Sequence, residues 1–208
     1  MVHIPAPPPP RRPKPIFKTI RTGAFLVRLF DPTTSFGQTA LTFRRFGPLR
    51  RFDHQEPHAG QPASDPDRGI YYAAQTLSGC IVEVFGDTGL IACGEWHIAR
   101  VWLVRPLTLL NISGRGAMRA GSVAALSKVP DHAVAQQWSR HFYEQPEYSQ
   151  CDGIYYSNAH NDGPAFALYE RAEDALDCPP GSVVRLDDPA LRGELLRVAK
   201  LNHLICLP

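Results

Sequence analysis

The sequence predicts a mixed α+β domain built on an antiparallel-rich sheet. Three observations carry this expectation. Apolar runs of strand length recur along the chain, from Ala24–Phe30 (AFLVRLF) to Ala165–Tyr169 (AFALY). Helical periodicity occurs in a few places but does not alternate strictly with those runs, so the rhythm of a parallel βαβ sheet is missing. Gly153–Ser157 and Ala165–Tyr169 face each other across a polar turn, Asn158–Pro164, as a hairpin-like pair would.

Residues 5–15 (PAPPPPRRPKP) form a basic, proline-rich arm. Proline lacks the N–H that a ladder needs and fixes an extended backbone, so the arm reads as a solvated polyproline II tail. The folded part begins near Ile16. Ala24–Phe30 is nearly all apolar, as suits a strand covered on both faces, with Arg28 interrupting it. Residues 31–38 read as loop, Thr39–Phe46 as a second strand, and 53–69 as a long polar loop of the kind that usually serves function. Gly69–Ala74 returns to strand. Thr76 then caps a helix whose Leu77, Cys80, Ile81, Val84 and Phe85 follow helical spacing. Ile98–Val104 and Leu107–Ile112 read as strands broken at Pro106. Gly116–Lys128 and Asp131–Tyr143 read as helices, the second capped by Asp131. A strand at Ser182–Leu186 and a helix from Pro189 to Asn202 complete the chain, with no internal repeat.

Composition narrows the function classes. A length of 208 residues fits one domain with appendages. The formal charge of +2 does not by itself argue for nucleic acid or an anionic membrane. No apolar run approaches the roughly 18 residues of a membrane helix. The start, Met-Val-His-Ile and then prolines, lacks the apolar core of a secretory signal, so a cytoplasmic location is expected. Five cysteines without a Cys-x-x-Cys pair read as small hydrophobes in a reducing compartment. No G-x-G-x-x-G occurs, which removes support for a dehydrogenase. His54 and His58 read as surface histidines rather than metal ligands.

The chemistry-bearing residues are sparse and ordered: Arg28, Arg51, Tyr72, Glu83 eleven residues further on, and Ser157. Each alone has a plainer explanation, such as a snorkelling arginine, a strand tyrosine or a surface glutamate. Jointly they fit the cleavage of a cationic base from a ribose. That reaction passes through an oxocarbenium-like state and needs a carboxylate beside the ribose. Its pyridinium leaving group favours an aromatic face, and the dinucleotide phosphates favour forked guanidinium donors. Glu83, Tyr72, and the pair Arg28 and Arg51 are the respective candidates. Ser157 is a further phosphate donor. An RNase-like reading would use His54 or His160 with the Arg44–Arg51 run, and a non-catalytic binding module is the third reading.

These segments resemble the RES domain. The resemblance rests on Arg28, Arg51-Phe52-Asp53, Gly69-Ile70-Tyr71-Tyr72-Ala73-Ala74, Glu83-Val84-Phe85, Asp152-Gly153-Ile154-Tyr155-Tyr156-Ser157 and a closing strand at Ala165–Glu170. It runs from about Phe17 to about Leu176. The division it suggests is an arm at 1–15, a catalytic domain at 16–177 and an extension at 178–208 packed on that domain. The resemblance implies a compact fold akin to ADP-ribosyltransferases. It implies a toxin that consumes NAD as substrate, with inorganic phosphate as co-substrate and no separate cofactor or metal. Phosphorolysis to ADP-ribose 1″-phosphate and nicotinamide leads, with hydrolysis or ADP-ribosyl transfer to a protein as alternatives. It also implies an Xre-type helix-turn-helix antitoxin as partner, with no direct nucleic-acid or membrane contact; a homodimer stays open.

Overall fold

The computed structural model describes residues 3–35 and 37–207. Met1, Val2, Phe36 and Pro208, which fall in the expected arm, the first loop and the C-terminal extension, lie outside them. The strands are β1 (Phe17–Ile20), β2 (Phe25–Phe30), β3 (Phe46–Gly47), β4 (Ala63–Ser64), β5 (Ile70–Ala74), β6 (Leu90–Ile91) and β7 (His97–Leu103). They continue with β8 (Leu107–Asn111), β9 (Gly153–Ser157), β10 (Pro164–Tyr169), β11 (Leu176–Asp177), β12 (Val183–Arg185) and β13 (Ile205–Cys206). Four α-helices accompany them: α1 (Leu77–Phe85), α2 (Arg115–Arg119), α3 (His132–Glu144) and α4 (Arg192–Asn202).

One sheet dominates, in the order β1-β8-β9-β10-β5-β2-β7-β11, with β12 also on β7. Its neighbours are antiparallel except β8 and β9, which run parallel with Leu109 opposite Gly153. Residues alternate across such a sheet, so its two faces bury different sets. On one face Ile70, Ile154, Tyr156, Ala167 and Tyr169 pack against Trp138 and Phe142 of α3. On the other lie Leu26, Phe30, Tyr71, Ala73, Phe166 and Leu168. Helices α1 and α4 close a smaller core around Ile81, Phe85, Leu195 and Val198. The expected mixed α+β architecture is therefore the observed one.

Several elements differ from expectation, each for a local reason. Thr39–Phe46 is not a strand. The Thr42 hydroxyl accepts the Thr39 N–H at 3.0 Å, and the Thr39 hydroxyl accepts that of Leu41 at 3.3 Å. Such local bonds divert backbone groups from a ladder. Only Arg44 bridges to Ile70, and β3 pairs with β4 inside the supposed long loop. The helix expected over Gly116–Lys128 stops at Arg119, because Gly121 adopts φ +90°, and a 3-10 turn follows at Ala124–Ser127. Edge strand β1 has too few residues to show a period. The arm expected to be solvated touches the domain: the Trp138 indole donates to the Pro5 carbonyl at 2.8 Å, and Lys14 N–H donates to Arg119 at 2.8 Å. Among the described residues no helix is long and apolar enough to cross a membrane.

Candidate active site

Glu83 is delivered by α1. Thr76 caps that helix, its hydroxyl accepting Gly79 N–H at 3.1 Å. Gly79 lets the helix lie close on the sheet, since a Cβ there would stand 2.9 Å from the Ala74 Cβ. The Cys80 thiol completes the seat by donating to the Val27 carbonyl at 3.0 Å. Solvent reaches Glu83, yet much of its surroundings is protein. That burial raises its carboxyl above the ordinary value, against the attraction of Arg51 and a hydrogen bond from Ala159 N–H. Burial likewise pushes the Tyr156 phenol well up, and the neighbouring Glu83 adds to the shift. Glu83, Arg51 and Tyr156 thus share one electrostatic neighbourhood.

Arg51 is held by its loop rather than by its own contacts alone. Its guanidinium donates to the Val129 carbonyl. On either side, Gln136 donates to the Arg50 carbonyl at 3.0 Å and the Ser139 hydroxyl to that of Phe52 at 2.7 Å, both from α3. Phe52 is fully buried with its ring 4.8 Å from that of Tyr156. Asp53, also fully buried, ties the loop to the sheet. Its carboxylate accepts Arg44 at 2.7 Å on each oxygen, the Tyr72 phenol at 2.9 Å and Arg50 N–H at 2.7 Å. The Tyr72 oxygen in turn accepts Phe52 N–H at 2.9 Å. Burial first, then the neighbouring Asp53, raises the Tyr72 phenol well above its usual range. Its hydroxyl is committed to structure, while the residue remains only half-buried.

Arg28 lies on the other face. Strand β2 meets β5 through the single pair Val27–Ala74, whereas it meets β7 from Phe25 to Phe30, so the sheet forks just past Val27. The Arg28 guanidinium sits beside this fork, 4.1 Å from the centroid of the Tyr71 ring, and one of its terminal nitrogens is buried without a partner. Burial lowers its pKa, and among the described residues no carboxylate pairs with it. Arg28 and Tyr72 are both within electrostatic range of Arg44.

The structure therefore sets Arg51 within electrostatic range of Glu83 and ties Tyr72 through Asp53 to the loop that carries Arg51, but leaves Arg28 on the opposite face. Ser157 is also displaced. Tyr155 packs on Phe166 and Tyr156 on Phe52, so the faces alternate and Ser157 follows Tyr155 away from Glu83. The residue on the Tyr156 side is Asn158. It is fully buried, and its side-chain oxygen accepts His160 N–H at 3.0 Å and Asn161 N–H at 2.8 Å. It thereby shapes the turn that presents Ala159 to Glu83. Parity along β9 was the available signal for Tyr156 and Asn158; nothing local marked Asp53 as the centre of a network.

His54 is not at the surface. It is fully buried, its Nε2–H donating to Glu170 at 3.1 Å. Burial lowers the pKa of His54, so the imidazole is neutral. Burial also opposes ionisation of Glu170, yet hydrogen bonds from His54 and Tyr143 outweigh it and bring the carboxyl down to about 2. This closed pair is unsuited to the acid–base role of an RNase-like reading. A cavity of about 590 Å³ lies elsewhere, between Phe25, Val27, Leu77, Ile98 and Trp102.

Fold and site together define a compact α+β domain with a glutamate, an arginine and tyrosines beside a forked sheet. Residues 26–188 match the RES domain, so the chain belongs to the RES domain family. A search of curated proteins finds no match. Among solved structures, the chain is similar to one in the crystal structure of the M. tuberculosis MbcT–MbcA toxin–antitoxin complex. The TM-score is 0.59 at 17% identity, covering 85% of this chain and 91% of that one. The likeness supports the fold.

Proposed function

We propose that this protein is a toxin that cleaves the nicotinamide–ribose bond of NAD, with inorganic phosphate as acceptor. In the step proposed, the C1″–N bond breaks with its electron pair passing to the nicotinamide nitrogen. A phosphate oxygen then bonds C1″, giving ADP-ribose 1″-phosphate and neutral nicotinamide. No general acid is needed, because the leaving group is already cationic. Glu83 would hold the ribose hydroxyls and oppose the developing positive charge. Tyr72 would offer aromatic surface to the base, while Arg51 and Arg28 would take the phosphates. The observation that carries the reading is the proximity of Glu83 to Arg51, together with a second guanidinium, Arg28, buried on the opposite face of the sheet with one terminal nitrogen unpartnered and no ion pair among the described residues. A buried charge is stable only when paired, and an anionic ligand supplies the missing partner.

An antitoxin that covers this cleft fits the same reading. An Xre-type helix-turn-helix protein is the proposed partner, by the family resemblance and the toxin–antitoxin neighbour. The test is NAD consumption by purified protein with and without phosphate, products being assigned by phosphorus NMR. Phosphate-dependent loss yielding a phosphorylated ADP-ribose supports the proposal. Phosphate-independent loss replaces the acceptor with water or a protein side chain. No loss from folded, antitoxin-free protein overturns it.

A further inference from the structure

The net charge of +2 conceals a strong segregation. Residues 1–30 and 96–130 contain eleven of the 22 Lys and Arg residues and no Asp or Glu. The rest of the chain carries the other eleven against 20 acidic residues. The fold brings these two acid-free segments together. Strand β1 pairs with β8 from Phe17–Leu110 to Ile20–Leu107, Lys14 N–H donates to Arg119, and Pro9 packs on Gly121. The result is a one-signed face. The arm contributes Arg11, Arg12 and Lys14; the β1 edge contributes Lys18 and Arg21. Arg115 and Arg119 on α2 complete it, and all seven side chains are exposed. None of them has an ion pair among the described residues, in contrast to Arg45, Arg105, Arg185 and Arg197 elsewhere on the surface.

From this face we infer that the protein binds a nucleic-acid backbone along the arm, β1 and α2, separately from the NAD site. Five of the seven cations are arginine, whose fork matches phosphate. An extended arm followed by spaced cations is also the form of a phosphate-tracking surface. An acidic protein partner would favour an aromatic or aliphatic anchor, and of the large apolar side chains on β1 and α2 only Met118 is well exposed, at 64%.

The experiment is fluorescence anisotropy of the full chain with a 20-base-pair duplex DNA and with a 20-nucleotide single-stranded RNA, from about 50 to 200 mM salt. If all seven cations meet phosphates, log affinity for duplex falls against log salt with a slope of about −6. Replacing Arg11, Arg12 and Lys14 together by alanine shallows that slope by about three, and Arg115→Ala with Arg119→Ala by about two. Arg192→Ala with Lys200→Ala, on exposed cations of α4, leaves it unchanged. Tighter binding of RNA than of duplex identifies RNA as the source of the backbone. NAD consumption stays at the wild-type rate in all these variants, so the two sites are judged independently. Absence of binding to both probes at low salt overturns the inference, as does an equal loss in the α4 variant. Competition by polyglutamate as effective as that by DNA overturns it in favour of an acidic protein.

Discussion

Asp53 is where stability and site geometry meet, and its removal is the most discriminating perturbation. The side chain is 0% exposed and neutralises Arg44, itself only 9% exposed, through two contacts of 2.7 Å. Asp53→Ala deletes that pair, the Tyr72 hydrogen bond and two backbone bonds from Leu49 and Arg50. It leaves a guanidinium in a dry place with no counter-charge. Breaking a buried pair from one side costs about 3–5 kcal/mol, more than the pair itself contributes, because an uncompensated charge remains. For a chain of this size each kcal/mol lowers Tm by roughly 2–4 °C, so the expected fall is about 6–20 °C. Urea unfolding would give the free energy, and the cycle with Arg44→Met would give its origin. If the argument is right, Arg44→Met suppresses part of the damage, and the two changes are non-additive by roughly 0.5–3 kcal/mol. A loss below about 1 kcal/mol for Asp53→Ala, or strict additivity with Arg44→Met, would refute the reasoning.

Four further outcomes follow from the same structure. Gly79→Ala forces α1 away from Ala74, costing about 1–3 kcal/mol by overpacking and lowering turnover by moving Glu83; an unchanged Tm and rate would show that the 2.9 Å approach is relaxed elsewhere. Glu83→Gln keeps the helix and its size but loses the charge, so NAD turnover should fall about 10²–10³-fold with a wild-type circular dichroism spectrum. Because burial raises the Glu83 carboxyl, wild-type activity should decline on acidification from above the usual 4.5, and a rate constant down to that pH would contradict its role as the ionised group. Acid stability should fall in two stages. His54, held below 6.5 by burial, takes a proton on unfolding as pH drops under 6.5, and Glu170, held at about 2, adds its loss between 4.5 and 2. Glu170→Gln should abolish the second stage in urea midpoints measured against pH, and retention of that stage would assign it to other carboxylates.

The fold was legible where pattern and local chemistry agree. Ala24–Phe30, Gly69–Ala74 and Ala165–Tyr169 are apolar runs, and each is a strand of the main sheet. Thr76 and Asp131 announced their helices, and both cap as expected. Thr39–Phe46 misled because threonines and phenylalanines favour strands, while hydroxyl-to-backbone bonds decide the outcome three residues at a time. The helix beyond Arg119 failed at Gly121, which has a positive φ and leaves no room for a Cβ against Pro9 of the arm, over a hundred residues distant. Local sequence carries no trace of such a contact.

Candidate site residues were legible by type more readily than by face. Glu83 and Arg51 lie within electrostatic range of each other, and the eleven-residue interval from Tyr72 to Glu83 spans one strand end, one cap and two helical turns. Ser157 shows what spacing alone misses: one step along a strand turns a side chain to the opposite face, so Tyr156 holds the position beside Glu83. Arg28 shows the complementary case. Strand parity sends it to the far face, where it sits beside the fork that opens after Val27–Ala74. A fork is a property of two strands ceasing to pair, and neither strand's sequence specifies it. The buried Arg28 guanidinium at that fork, with one terminal nitrogen unpartnered, is thus the feature to test with ligand: NAD should stabilise wild-type protein in thermal unfolding and stabilise Arg28→Ala less. Equal shifts in both would remove Arg28 from the binding site and leave its burial unexplained.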